Sequence, residues 1–268
     1  MKAKELLDAN QLSAAILELN QEAKQRPTDL RIRTFLFELL CFDGAHERAE
    51  RQLDVIGLHN ESAGIGVEVY RQLLRADKAR RRWFAEGLAP TFLIEPPAWI
   101  QHQLEAGHRL RGQQTEEAKA LFQEAADSRP KLTGLVNGKR CTEFRDIDDR
   151  LGSVLEVFFR EQYVWLPIEQ VRKMTIPPPR QLRDLLWIPA TIEIEEGTAG
   201  HVYLPALYVG SQSEDNDQLR LGRMTDWREL GDGLVGGVGQ KMFLIGDHEL
   251  SILEIREMEF QIDKQAAS

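Results

Sequence analysis

The stretch Gly231-Asp232-Gly233-Leu234-Val235-Gly236 fits the pattern G-x-G-x-x-G, and Lys241 follows it within GVGQKMFLIGD. In a dinucleotide site, such glycines let the backbone approach a pyrophosphate whose charge sits on a helix N-terminus. That chemistry requires a buried strand before the loop and a helix opening after it. Here TDWREL precedes the loop and does not read as a buried strand. Gly237 and Gly239 follow, which disfavour a helix interior, and MFLIGD then reads as a strand. A phosphate loop needs Gly and Lys adjacent, then Ser or Thr. Gln240 separates Gly239 from Lys241, and Met242 takes the hydroxyl position. A nucleotide-binding enzyme using Gly231–Gly239 is therefore kept as the alternative. The preferred reading is a glycine-rich bend entering a late strand, whose glycines serve backbone geometry.

Other chemistry-bearing residues form no complete constellation. The histidines are His46, His59, His102, His108, His201 and His248, without H-E-x-x-H or another close ligand pairing. Asp146, Asp148 and Asp149 precede Arg150. They read as a loop between strands in which Arg150 pairs internally, rather than as a cation cage. Glu214, Asp215 and Asp217 lack the spacing of a calcium loop. There is no G-x-S-x-G elbow, and nothing near Cys41 marks it as an activated thiol. Cys41 and Cys141 are expected as reduced thiols. Arg71, Arg75, Lys78, Arg80, Arg81 and Arg82 share one predicted helix. They read as a solvated face balancing nearby acids, with recognition of an anionic or phosphorylated partner as the other reading. No catalytic, cofactor-binding or metal-binding residue is assigned, and no partner-binding residue either.

The elements that would position these residues fall into two halves. Leu12, Ile16, Leu19 and Ala23 recur at helical spacing until Pro27. Thr28 or Asp29 is placed to cap the next helix, which carries Ile32, Phe35, Leu36, Leu39 and Leu40 and ends at Gly44. Ala49, Leu53 and Ile56 mark a further helix. Ala15-x3-Leu19 and Ala49-x3-Leu53 lie 34 positions apart, and Ala118-x3-Phe122 begins two such periods plus one later. This is the period and small-large pattern of a tetratricopeptide-like array. Val69, Leu73, Leu74 and Ala76 predict another helix, and IEPPAWI an extended break. After Pro130 the pattern turns to strands. Asn137-Gly138 signals a type I′ hairpin, and VLEVFF and YVWLPI form a second hairpin across a short polar link. Thr191 to Glu195 alternate strictly, RLGRM reads as a short strand, and MFLIGD and LSILEIREMEF close the chain with β patterning. Trp165 and Trp187 are expected in the core. The expected fold is α+β: a TPR-like helical domain over 1–130 and a mainly antiparallel β domain over 131–268, which would cap the last repeat.

Composition limits the partners. The 268 residues carry a formal net charge of -9, which disfavours nucleic acid. No apolar run approaches the roughly 20 residues that span a bilayer, and the start shows no signal-peptide core. Membrane insertion is not expected, and the cytoplasm is the expected location.

DDRLGSVLEVF, YVWLP, LRDLLWIPA, LPALYVGS, GVGQKMFLIGD and ILEIRE occur in order in the second half, after FLFELLCFDG, ERAERQLDVI and YRQLLRADKAR in the first. Together they resemble the ImpE family, also called TagJ or SciE, accessory proteins of bacterial type VI secretion. Ser153 departs from that pattern, standing after Gly152 where proline is common. The resemblance implies a cytoplasmic, non-enzymatic adaptor without cofactor. Its implied partners are an N-terminal helix of the small contractile-sheath subunit and the AAA+ ATPase that recycles sheath.

Overall fold

The structure, a computed structural model, describes residues 2–194, 197 and 199–262. Its first half is helical: α1 (Lys2–Asp8), α2 (Leu12–Gln25), α3 (Leu30–Phe42), α4 (His46–His59), α5 (Gly64–Glu86), α6 (Trp99–Arg111) and α7 (Thr115–Asp127). Asp29 caps α3 by accepting from the Arg31 and Ile32 amides at 3.0 and 3.5 Å. The residues of the repeated pattern are all buried: Ala15 and Leu19 on α2, Ala49 and Leu53 on α4, Ala118 and Phe122 on α7. Each alanine lets a neighbouring helix approach, and the larger side chain one turn on fills the space beside it. The extra spacing before Ala118 holds one long helix, α5, and an extended segment. Thr91 in that segment exchanges backbone hydrogen bonds with Tyr163 and Trp165, at 3.0 Å each.

The second half contains β1 (Leu132–Val136), β2 (Lys139–Cys141), β3 (Phe144–Asp146), β4 (Val154–Phe159), β5 (Gln162–Pro167), β6 (Val171–Thr175), β7 (Trp187–Ile194), β8 (Ala199–Pro205), a short helix α8 (Asp217–Arg220), β9 (Thr225–Gly231), β10 (Leu234–Gly239), β11 (Met242–Ile245), β12 (His248–Ser251) and β13 (Glu257–Ile262). An eight-stranded sheet runs β2-β1-β13-β6-β7-β8-β4-β5, with every pairing antiparallel. A three-stranded sheet β12-β11-β3 and the hairpin β9-β10 complete it. The fold is thus α+β. Asn137 and Gly138 have φ of 50° and 76°, as a type I′ turn demands. Thr191 to Ile194 alternate as expected, and Glu195 lies outside the described residues. RLGRM is not a strand. Arg220 ends α8 and the rest is a turn, while the half-buried TDWRELG forms β9.

Among the described residues three apolar clusters make the core, the smallest of them Ala106, Ala118 and Phe122 packed with Leu234. Of the two larger ones, one lies within the β half, with Val157, Leu166, Met174, Ile192, Phe243 and Met258. The other joins helices to strands: Phe37, Phe42 and Trp83 pack with Val154, Phe158, Trp165 and Trp187. The β half therefore does more than cap the last repeat. It lies along the helical array from one end to the other. Asp217 accepts from the Leu12 amide at the start of α2 (2.6 Å), and Arg220 pairs with Asp43 (2.5 Å). Arg183 pairs with Glu38 on α3 (2.8 Å), and Lys119 on α7 donates to the Asp232 carbonyl (2.8 Å). The reason is the breadth of the apolar face of α3 and α5, which needs cover along its length rather than at one end.

Gly231 to Gly236 form the turn and neighbouring strand of the β9-β10 hairpin, with Asp232 and Gly233 at φ of 52° and 79°. A strand, not a helix, follows the turn. A Cβ at Gly237 would collide with the Tyr208 ring. Gly66, near the start of α5, has open space around it. Gly237→Ala should lower stability by about 1–3 kcal/mol through overpacking. Gly66→Ala should raise it by about 0.5–1 kcal/mol through helix propensity. Urea unfolding of both variants checks the opposite signs.

Candidate functional site

The densest group of ionisable side chains lies where α5 meets the sheet. Glu156 is central to β4, on the side facing the helices together with Val154 and Phe158. Its Oε1 accepts from Arg80 Nε (2.7 Å) and the Tyr163 hydroxyl (2.6 Å). Its Oε2 accepts from Arg80 Nη2 (2.7 Å) and pairs with Lys241 Nζ (2.8 Å). Lys241 also donates to Asp146 Oδ2 at 2.6 Å, and its ammonium lies 4.7 Å from the centre of the Tyr208 ring. Tyr208 donates to Asp146 Oδ1 at 2.8 Å. Asp148 accepts from Arg150 Nε (2.8 Å) and from the Gly237 amide (3.0 Å). Arg80, Lys241, Glu156, Asp146 and Asp148 are all buried.

The seam is balanced in charge: Arg80, Lys241 and Arg150 face Glu156, Asp146 and Asp148. Burial pushes the Glu156 carboxyl up, but Arg80 and Lys241 overcome it and hold the group down at about 2. Burial raises Asp146, against the pull of Lys241. Asp77, buried beside Arg81, His46 and Arg80, is held well below the usual carboxylate range despite its desolvation. Burial raises the Tyr163 and Tyr208 hydroxyls, with Glu156 and Asp146 respectively adding to the effect. These groups are mutually satisfied. Their arrangement is that of a joint, holding α5 and the sheet at a fixed register.

The predicted residues fall as follows. The basic run on α5 splits. Arg80 is inside the seam and not on a solvated face, because its helix turn points at Glu156. Arg81 bridges to Asp77 and His46 (3.1 and 3.0 Å), and the exposed Arg82 pairs with Glu86. Asp146 ends β3, and residues 147–150 form the loop that follows, with the expected internal Asp148–Arg150 pair. Asp149 accepts from the Val235 amide at 2.8 Å. Glu156 and Lys241 were not singled out for this role by sequence. The available signal was one charge inside the otherwise apolar run VLEVFF, and another just before MFLI. The histidines sit apart: His46 against Asp77, His102 near Glu124, His108 against Arg111 and the Trp83 ring edge. Among the described residues no group of three His, Cys, Asp or Glu is placed to hold a metal. No described helix is long and apolar enough to cross a membrane.

Glu156→Gln leaves Arg80 and Lys241 facing a neutral amide and should cost about 3–5 kcal/mol. The wild-type carboxylate has a folded value below its ordinary 4.5, so its contribution is complete above that pH and lost as pH falls toward about 2. The stability gap between wild type and Glu156→Gln should therefore close over that window. Denaturant unfolding as a function of pH checks this, and a gap independent of pH would contradict it.

The surface differs from the seam. Leu58 and Ile65, 79% and 85% exposed, stand on either side of the turn from α4 to α5. Gly64 and Gly66 beside them leave the backbone open, with no neighbouring atom near the place of a Cβ.

Comparison with known proteins agrees with this architecture. The family described as ImpE protein matches residues 138–259. The type VI secretion system accessory component TagJ of Pseudomonas aeruginosa is 36% identical over 261 residues, covering 97% of this chain and 92% of that protein. The crystal structure of protein VPA1032 from Vibrio parahaemolyticus is similar with a TM-score of 0.90 at 28% identity, covering 99% of this chain and 100% of that one. The extent of the match to TagJ, through both the helical and the β half, makes this chain a member of the ImpE/TagJ family.

Proposed function

We propose that this chain is a non-enzymatic accessory protein of a type VI secretion system, acting in the cytoplasm as an adaptor. It binds an amphipathic helical segment of the small contractile-sheath subunit, and through that contact modulates sheath recycling by the AAA+ ATPase. Family membership supports the accessory role. The TPR-like spacing of the helical array supports a helix as ligand. The observation that carries the location is the pair Leu58 and Ile65, the most exposed large apolar residues described, at one helix junction with open glycines beside them. Isolated apolar residues are ordinary on a surface, whereas two this exposed at the two ends of one helix junction, beside accessible backbone, suit anchors of a docking helix. The inner face of the array is less suited, since the β half covers much of it.

Titrating the full chain with the N-terminal peptide of its cognate small sheath subunit should give saturable, micromolar binding. Leu58→Asp and Ile65→Asp should each weaken it by about tenfold or more, while Leu135→Asp on β1 should not. No heat at saturating peptide would overturn the reading. Thermal shift with ATP, GTP, NAD and FAD tests the nucleotide alternative: no stabilisation is expected, because the glycine run lacks the helix N-terminus that would hold a phosphate.

A further inference from the structure

Two adjoining concavities open between α7, the turn leading to β1 and the loop from β3 to β4, with volumes of about 340 and 220 Å³. Both are walled by Arg129, Glu143 and Ser153. Arg129 is half-buried, and its one side-chain hydrogen bond runs from Nε to the Ala126 carbonyl at 3.3 Å. Among the described residues it makes no ion pair, and burial lowers its pKa from the ordinary value. Ser153 is only 6% exposed, and its hydroxyl has no hydrogen-bond partner among the described residues. A buried hydroxyl without a partner is costly and points to an unfilled acceptor role nearby.

Two further cations border the larger concavity. Lys119 Nζ gives one hydrogen bond to the Asp232 carbonyl, leaving N–H groups to spare. Arg145 is loosely paired with Glu143 at 3.4 Å. The carboxylates lining the two concavities are Glu143, Asp149 and Glu169. The Val235 amide engages Asp149 (2.8 Å) and the Trp99 indole N–H engages Glu169 (2.6 Å), so Glu143 is the main competitor for an anion in the larger concavity. Three cations from separate elements and a hydroxyl supply more donors than the two oxygens of a carboxylate accept in plane. A tetrahedral oxyanion matches them better.

We propose that this cleft binds a phosphate-class oxyanion, held by Arg129, Lys119 and Arg145 with the Ser153 hydroxyl as a further donor. The site is separate from the helix-docking surface on α4 and α5. Inorganic phosphate is titrated against the full chain and followed by phosphorus NMR and thermal shift, with chloride at matched ionic strength as reference. Saturable millimolar binding is expected. Arg129→Gln should weaken it roughly fivefold, and Ser153→Ala should weaken it too. Glu143→Gln should tighten it by removing the competing carboxylate. Arg129→Gln breaks no ion pair and loses only the long hydrogen bond to the Ala126 carbonyl, so its unfolding midpoint without phosphate should fall only slightly and the variant should stay folded. The absence of saturable binding overturns the proposal, as does binding that both Arg129→Gln and Glu143→Gln leave unchanged. Glutarate binding as tightly as phosphate would overturn the assignment to the phosphate class.

Discussion

One buried carboxylate, Glu156, organises the contact between the two halves of the chain. It sits on the helix-facing side of β4 and receives donors from α5, from β5 and from the residue before β11. An uncompensated charge there would be expelled or neutralised, since desolvation costs several kcal/mol per ion. Arg80 meets it with two parallel hydrogen bonds, a geometry that tolerates little sliding or rotation of α5. Lys241 then ties the same carboxylate to Asp146, and Tyr208 closes the ring of contacts. The apolar cluster around Trp165 and Trp187 supplies bulk adhesion, and the ionic seam sets register.

The glycine run is part of the same joint. Gly237 donates its amide to Asp148 and lets Tyr208 lie against the backbone of β10. A side chain there would move the ring that hydrogen-bonds Asp146. The resemblance to a nucleotide loop is thus a by-product of two constraints met in sequence: a tight turn at Asp232-Gly233, and a strand that must pass beneath an aromatic ring.

Local features were readable in the sequence because their causes are local. Asn137-Gly138 dictates its own turn, Asp29 caps the helix that follows it, and the alanine positions of α2, α4 and α7 follow from helix packing. The seam was not readable, because its partners lie 76 residues apart for Arg80 and Glu156 and 95 for Asp146 and Lys241. A run of arginines looks solvated by default, and only tertiary structure shows which one turns inward. The lone acid within VLEVFF was a cue to a buried pair but did not name its partner. TDWRELG was passed over as a strand because hydrophobic alternation fails on a hairpin strand that buries neither face fully. The extent of the β half along the array was also hidden, since it depends on which helix faces remain apolar after pairing.

Arg80 anchors α5 to the sheet, and the proposed docking residues Leu58 and Ile65 lie outside that seam, so the scaffold under them is rigid as a docking surface needs. Hydrogen–deuterium exchange of the full chain, with and without the small sheath subunit's N-terminal peptide, tests this most directly. The account predicts new protection confined to the end of α4 and the first turns of α5, around Leu58 and Ile65. Protection appearing instead on the β9-β10 hairpin, or none at saturating peptide, would contradict it.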